Sequence, residues 1–249
     1  MPQYVFGTGE LYTIPVAGGV ARKFGALQDV SVDFSSDIKQ LFGQYQFPLD
    51  VARGKTKIEG SAKTGEVDVE AFNSFYFGQT ITDGQTLSAK NEAQTVPGTP
   101  FRVQADQAGT FEQDLGVFYA SSGVALTRIT SGSPTVGQYS VNESTGVYTF
   151  AAADQGAAVL LNYLYGTAAG EKLELGNPLM GSTPKFRLVL TQEYGGKTFT
   201  LVLYSCTAGK LSLPLKQDDY LIGDLSFQAQ ANDANRVGYM TSNANSEAT

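Results

Sequence analysis

The chain contains no histidine, no tryptophan and one cysteine, and charged residues make up only 16% of its 249 residues, against roughly 25% in an ordinary soluble domain. Without histidine there is no Ser-His-Asp triad, no Cys-His nucleophile pair, no three-histidine zinc centre and no facial triad. The single cysteine, Cys206, can form neither an internal disulfide nor a four-thiolate metal site. Only carboxylate, lysine or tyrosine chemistry stays open. The composition therefore predicts a protein that is not an enzyme, with no catalytic residue, no metal and no cofactor. Long apolar runs are missing as well. The richest, Ala157 to Tyr165, is strand-sized, whereas a membrane-spanning helix needs about 20 such residues. Met1 to Gly19 lacks the basic start and apolar centre of a secretory signal. These absences predict a soluble protein made in the cytoplasm, with Cys206 as a buried, unreactive thiol. Basic residues are outnumbered 17 to 24, for a net charge of -7. That sign opposes phosphate binding, which depends on Lys and Arg displacing counterions.

What the sequence does have is a period of two. Leu27 to Phe34 places Val30, Val32 and Phe34 on one face and Asp29, Ser31 and Asp33 on the other. Lys55 to Lys63 alternates in the same way. The intervening segment, Ser35 to Gly54, holds Ile38, Leu41, Phe42, Tyr45, Phe47 and Leu49, too much apolar surface for a solvated loop. It is expected either to fold back on its own domain or to dock on another chain. One helix is predicted over Glu66 to Gly78, with acidic residues in its first turn, Gly78 as its stop, and a stripe of Ala71, Phe72, Phe75 and Tyr76. Phe186 to Cys206 reads as a hairpin turning at Gly195-Gly196, and Tyr220 to Ala231 as a further strand. From Asn232 the chain is polar and small, and a mobile end is expected from Ser242 to Thr249.

The middle differs in composition. Thr95-Val-Pro-Gly-Thr99 and Gly166-Thr-Ala-Ala-Gly170 read as boundaries, and five short strands are predicted between them, near Thr110, Val124, Gln138, Val147 and Ala158. The expected architecture is mainly β: a discontinuous β-sandwich or barrel-like domain over 1–94 and 168–249 with one flanking helix, and a small β-sandwich inserted at 95–167.

Other motifs carry little chemistry. Gly7-Thr-Gly9 lacks the third glycine and the strand-turn-helix setting of a nucleotide loop. Asn142-Glu-Ser144 matches a glycosylation acceptor, but no export signal accompanies it. Asp29 and Asp33, about 13 Å apart at strand rise, are too distant to work as an acid and base pair. Asp218-Asp219 reads as a solvated turn.

The runs Phe24 to Phe34, Lys39-Gln-Leu-Phe-Gly43, Phe47 to Lys55, Ile58-Glu-Gly-Ser-Ala-Lys63 and Ala71-Phe-Asn-Ser-Phe-Tyr-Phe-Gly78, with Pro184 to Tyr239 beyond the insert, resemble the tail tube (major tail) proteins of long-tailed bacteriophages. The resemblance covers about two thirds of the chain. Gly137 to Val141 and Gly146 to Phe150 are similar to accessory β domains of phage tail proteins. The resemblance implies a structural virion protein made in the host cytoplasm. Its copies would form hexameric rings that stack into a tube, a conduit for genomic DNA during ejection. Its partners would be itself, the tape measure, the tail terminator and the baseplate or tip proteins, with DNA passing the lumen unbound. On that reading Asp29, Ser31 and Asp33 are the lumen-facing candidates, a wall of carboxylates expected to repel DNA along its length, and Ile38, Leu41, Phe42, Tyr45 and Phe47 form the ring-stacking arm. Lys55, Lys57 and Lys63 are expected to pair with acidic residues across subunits; facing the lumen instead, they would spoil a repulsive wall. The competing expectation is a surface-displayed β-sandwich that binds glycans or host receptors. A carboxylate-dependent hydrolase would need two acids facing each other across strands.

Overall fold

The computed structural model describes residues 4–243. Residues 244–249, most of the expected mobile end, lie outside that range, whereas Ser242 closes a strand. Along the chain come β1 (Glu10–Pro15), β2 (Arg22–Phe24), β3 (Leu27–Phe42), β4 (Pro48–Thr64) and the short helix α1 (Val69–Phe72). Then follow β5 (Ile81–Thr95), β6 (Arg102–Gln104), β7 (Phe111–Tyr119), β8 (Thr127–Arg128), β9 (Gln138–Asn142), β10 (Val147–Phe150) and β11 (Ala158–Leu173). The chain ends in β12 (Phe186–Tyr194), β13 (Lys197–Ser212), β14 (Gly223–Gln230) and β15 (Gly238–Ser242). The protein is mainly β, as its alternating pattern predicts, with several sheets and one short helix among the described residues.

The chain divides into two compact units, one from residues up to Thr80 and from Leu173 onward, the other Ile81–Lys172. The first unit holds an eight-stranded sheet in the order β2-β1-β12-β13-β14-β4-β3, with β15 also paired to β13. β2 and β3 stand at opposite ends of that order, yet only Gly25 and Ala26 separate them in sequence. The sheet must therefore curl until its ends meet, which makes the unit barrel-like. Thr64 Oγ1 donates to the Gly25 carbonyl at 2.7 Å, and the Gly65 N–H donates to the Ala26 carbonyl at 3.0 Å, fastening that seam. Inside lie Leu11, Phe24, Phe186, Leu188, Leu203, Leu225 and Phe227. The β12–β13 turn is tight because Gly195 and Gly196 both take positive φ, 60° and 74°, as a two-residue hairpin turn requires.

The helix is shorter than the predicted Glu66 to Gly78. Asp68 caps it, its Oδ1 accepting from the Ala71 N–H at 3.0 Å. After Phe72 the chain widens into a π-helical turn, Asn73–Phe77, closed by Gly78 N–H to the Asn73 carbonyl at 2.8 Å. The Asn73 side chain also clasps the backbone of Gln79, donating to its carbonyl at 2.7 Å and accepting from its N–H at 2.8 Å. That clasp holds the turn wide. It seats Phe75 between Phe24 and Phe186, at ring distances of 5.9 and 4.9 Å. Ala71, Phe72 and Phe75 of the predicted stripe are buried, while Tyr76 is exposed.

The second unit is a sandwich of two sheets, β6-β10-β9-β8 and β5-β11-β7, sharing one core of Val103, Val117, Tyr139, Tyr148, Leu161 and Tyr163. It begins before Thr95 and ends after Thr167, because β5 pairs with β11 and β11 runs on through Gly166 and Gly170. The glycine-rich run read as a boundary is strand. Asp114 on β7 pins the sheets together: Tyr139 of β9 and Tyr148 of β10 donate to its two oxygens at 2.6 and 3.0 Å.

Candidate functional site: a polar sheet face and an apolar arm

β3 and β4 pair far beyond the expected strands, from Leu27↔Thr64 to Phe42↔Pro48. The segment read from sequence as a connection between two strands is thus a long hairpin. Its root belongs to the barrel, since β14 pairs with β4 between Thr64 and Ile58. Beyond Ile58 β3 and β4 have only each other among the described strands, and the hairpin stands out as an arm.

All five expected arm residues are on it. Ile38 pairs with Arg53, Leu41 with Asp50 and Phe42 with Pro48, and Tyr45 and Phe47 occupy the tip. None folds back: Ile38, Leu41, Phe42, Tyr45, Phe47 and the neighbouring Leu49 and Val51 are each more than half exposed, Phe47 reaching 82%. The register explains why sequence alternation fades here. Ile38 and Val51 point to one side of the ribbon and Leu41 and Ala52 to the other, so apolar groups occupy both sides and neither is buried. Large, contiguous apolar exposure of this kind marks a binding surface. At the arm's root Phe34 and Ile58 open into an apolar cleft of about 120 Å³ shared with Leu201, Leu203, Val237 and Met240.

The three lumen candidates lie together on the outward face of β3. Asp29, Ser31 and Asp33 are exposed, alternating with partly buried Val30 and Val32. Opposite them stand Lys63, Ser61 and Glu59, and the face continues through Asp224, Ser226 and Gln228 on β14. Ser31 and Ser61 share a hydrogen bond at 2.9 Å. Two of the three lysines named from the sequence have carboxylate partners within the chain. Lys63 lies 4.0 Å from Asp29 and Lys57 3.0 Å from Glu59, both within the chain, and Lys210 lies 3.6 Å from Asp224. Lys63 reaches Asp29 across the paired strands, and Lys57 reaches Glu59 two residues along the same face of β4; Lys55 has no ion pair among the described residues. The face is a mosaic of ion pairs and hydroxyls rather than a wall of carboxylates. Asp33 faces Glu59 across the strands, and neither Asp33 nor Asp37 further along β3 has a cationic partner among the described residues.

The other candidate chemistry is sparse. Cys206 is buried in the core, and burial pushes its thiol up to about 12, far from a reactive thiolate. A cleft of about 520 Å³ on the first unit is lined by Tyr76, Phe77, Gln79, Leu175, Pro178 and Pro184 among others, and Tyr76 is its one titratable side chain. No group of three or more acidic, cysteine or histidine side chains that could hold a metal occurs among the described residues, and no helix there is long and apolar enough to cross a membrane.

Sequence reasoning missed one cluster. The guanidinium carbons of Arg187 and Arg236 lie over the Tyr204 ring, 5.4 and 5.5 Å from its centroid, and Tyr239 packs 5.9 Å away. A register shift between Phe186 and Leu188 brings Arg187 beside Tyr204, and bulges leave no mark in a simple alternation. No protein-family model matches the chain, and no curated protein matches it.

Proposed function

We propose that the protein is a self-assembling structural subunit of the tail-tube kind, whose copies join into rings and stack into a tube. The observation that carries this reading is the β3–β4 arm, a projecting two-stranded ribbon with exposed apolar side chains on both sides. A lone subunit gains nothing from such an arm. A ribbon of this kind hides its apolar surface only by lying against another chain, and an obligate contact of that type buries about 2,000 Å² or more. The low charged fraction agrees, because surface destined for burial between copies carries few charges.

The polar face suits the wall of a conduit. Lys57, Lys63 and Lys210 each have a carboxylate partner on the same face, so a passing phosphate backbone meets neutralised cations. Affinity for DNA comes from cations free to displace counterions, and on this face Lys55, exposed and without an ion pair among the described residues, is the exception to the pairing. DNA slides past such a surface without being held.

Negative-stain electron microscopy of the concentrated, purified protein tests the proposal. Rings or tubes are the expected result. A protein that stays monomeric at every concentration and binds a glycan or receptor instead would overturn it in favour of a surface-displayed sandwich.

A further inference from the structure

The eight-stranded sheet leaves β15 with a bare edge. β14 and β15 follow one another along the same side of β13: Cys206 pairs with Phe186 on one side and Ala229 on the other, and Leu203 likewise with Leu188 and Gly238. β4 covers the outer edge of β14 as far as Ala229↔Ile58. There it departs into the arm, so β15 has β13 as its only strand partner among the described residues. An open edge is a template for pairing with another chain, and folded proteins guard such edges with charge or proline. Elsewhere this sheet does so, with Arg22 and Lys23 on β2, Asp29 and Asp33 along the root of β3, and Lys210 late in β13. β15 reads Gly-Tyr-Met-Thr-Ser, is exposed throughout and has neither guard.

Beside that edge the core is thinly covered. Met240 stands opposite Leu201, but the place opposite Leu203 belongs to Gly238, which brings no side chain. A Cβ built there would lie 2.1 Å from the Val202 carbonyl oxygen, so a larger residue at 238 cannot fill the space. What remains is the cleft of about 120 Å³ walled by Phe34, Ile58, Leu201, Leu203, Val237 and Met240. An apolar space of that size holds about one aliphatic or aromatic side chain.

We infer that the arm of a second copy of this chain adds a strand to the bare edge of β15 and seats one of its apolar side chains in this cleft. The inference rests on the self-assembly reading and adds to it the surface that receives the arm. The arm fits on two counts. Beyond Ile58 its strands pair only with each other among the described strands, so its own edges are open. Apolar side chains stand on both sides of the ribbon, so whichever side turns inward brings one to the cleft. In strand addition the main-chain hydrogen bonds supply affinity and the side-chain pocket supplies specificity. The contact joins two different patches, which lets it propagate from copy to copy.

The test combines edge variants with cross-linking. Thr241→Lys and Met240→Lys put a charge on the bare edge. Each should raise the concentration needed for assembly about tenfold or more, read by sedimentation and electron microscopy. Melting should be unchanged, because β15 is exposed throughout. Gln40 and Val51 are partners across the arm, one on each of its strands. Protein carrying Thr241→Cys is mixed under assembly conditions with protein carrying Gln40→Cys or Val51→Cys and treated with a short bis-maleimide, while Cys206 is buried out of reach. Mass spectrometry should find position 241 joined to position 40 or 51 of another copy. If the native protein assembles but neither mixture gives that link, or both lysine variants assemble as well as the native chain, the arm docks elsewhere and self-assembly stands. A link formed within single chains of dilute Gln40→Cys/Thr241→Cys would give the cleft to the same copy's arm and overturn the inference. Should the native protein never assemble, both readings fall.

Discussion

The Phe227 ring fills the space beside Gly60 where a side chain would begin. The two residues are register partners on β14 and β4, and a Cβ built on Gly60 would lie 2.2 Å from Phe227 Cζ. Phe227 is 3% exposed and packed into the barrel core, so its ring has nowhere to retreat. Glycine inside a strand usually marks such a close approach. Gly60→Ala should therefore destabilise the first unit by about 1–3 kcal/mol through overpacking. Thermal unfolding followed by circular dichroism measures it. An unchanged melting temperature would show that the ring is mobile and that the barrel closes more loosely at β4.

In the inserted unit the decisive residue is Asp114. Its side chain is 3% exposed, accepts from Tyr139 and Tyr148, and lies 3.7 Å from the Arg128 guanidinium. Asp114→Ala leaves the two buried tyrosine hydroxyls without their acceptor, while Arg128 keeps Glu143 at 3.0 Å. Losing one member of a buried charged network costs about 3–5 kcal/mol, so this unit should unfold first on heating while the rest holds. Limited proteolysis reads the difference, with cleavage expected inside residues 81–172.

The same cluster gives the insert a defined alkaline limit. Burial, reinforced by the Asp114 carboxylate, pushes the Tyr139 and Tyr148 hydroxyls well above the ordinary tyrosine range. Burial and then the hydrogen bond to Glu92 raise Tyr163 to about 12. A native value above the unfolded one means stability is fully present below about pH 10, the unfolded tyrosine value, and drains away as pH rises through the native values. Unfolding at rising pH, followed by tyrosinate absorbance, should show these rings ionising together with loss of structure. Ionisation at the free-tyrosine value in a still-folded protein would refute the coupling.

The elements legible in the sequence are those with one buried face. Phe186, Leu188, Leu201, Leu203, Leu225 and Phe227 alternate because each second residue enters the core. Where nothing is buried, the pattern vanishes. β5 reads Ile-Thr-Asp-Gly-Gln-Thr-Leu-Ser and is largely exposed, so only its partner β11 makes it a strand. β15 is exposed throughout and is set by β13. The arm residues were visible as apolar, but their strand geometry was not, because both sides of the ribbon face outward. Asp29, Ser31 and Asp33 were placed on one face by parity alone. The lysines opposite them depended on register, which no single strand encodes.

That geometry makes the arm separable from folding. Removing residues 38–53 and closing the hairpin with a short turn deletes exposed side chains and no core residue. The melting temperature should hold, since surface changes away from packed features stay within about 0.5 kcal/mol. Assembly should be lost or stop at short oligomers. Normal-length tubes in micrographs of this variant would remove the arm from the assembly mechanism.

The insert supplies the complementary test. Its first and last strands lie side by side: Thr82 Oγ1 donates to the Lys172 carbonyl at 3.4 Å, so the two points where the chain enters and leaves the unit are adjacent. A short Gly-Ser linker can replace residues 81–172 without stretching, because loop closure over such a gap costs little entropy. Cutting at 97–166 instead would strand most of β5 and the end of β11 without the sheet that β7 completes. The clean excision should give a soluble first unit that melts cooperatively, and a subunit that still assembles if the insert only decorates its surface. Soluble but assembly-incompetent protein would move the insert into the subunit contact. Insoluble protein from the 81–172 excision would show that the barrel needs the insert to close.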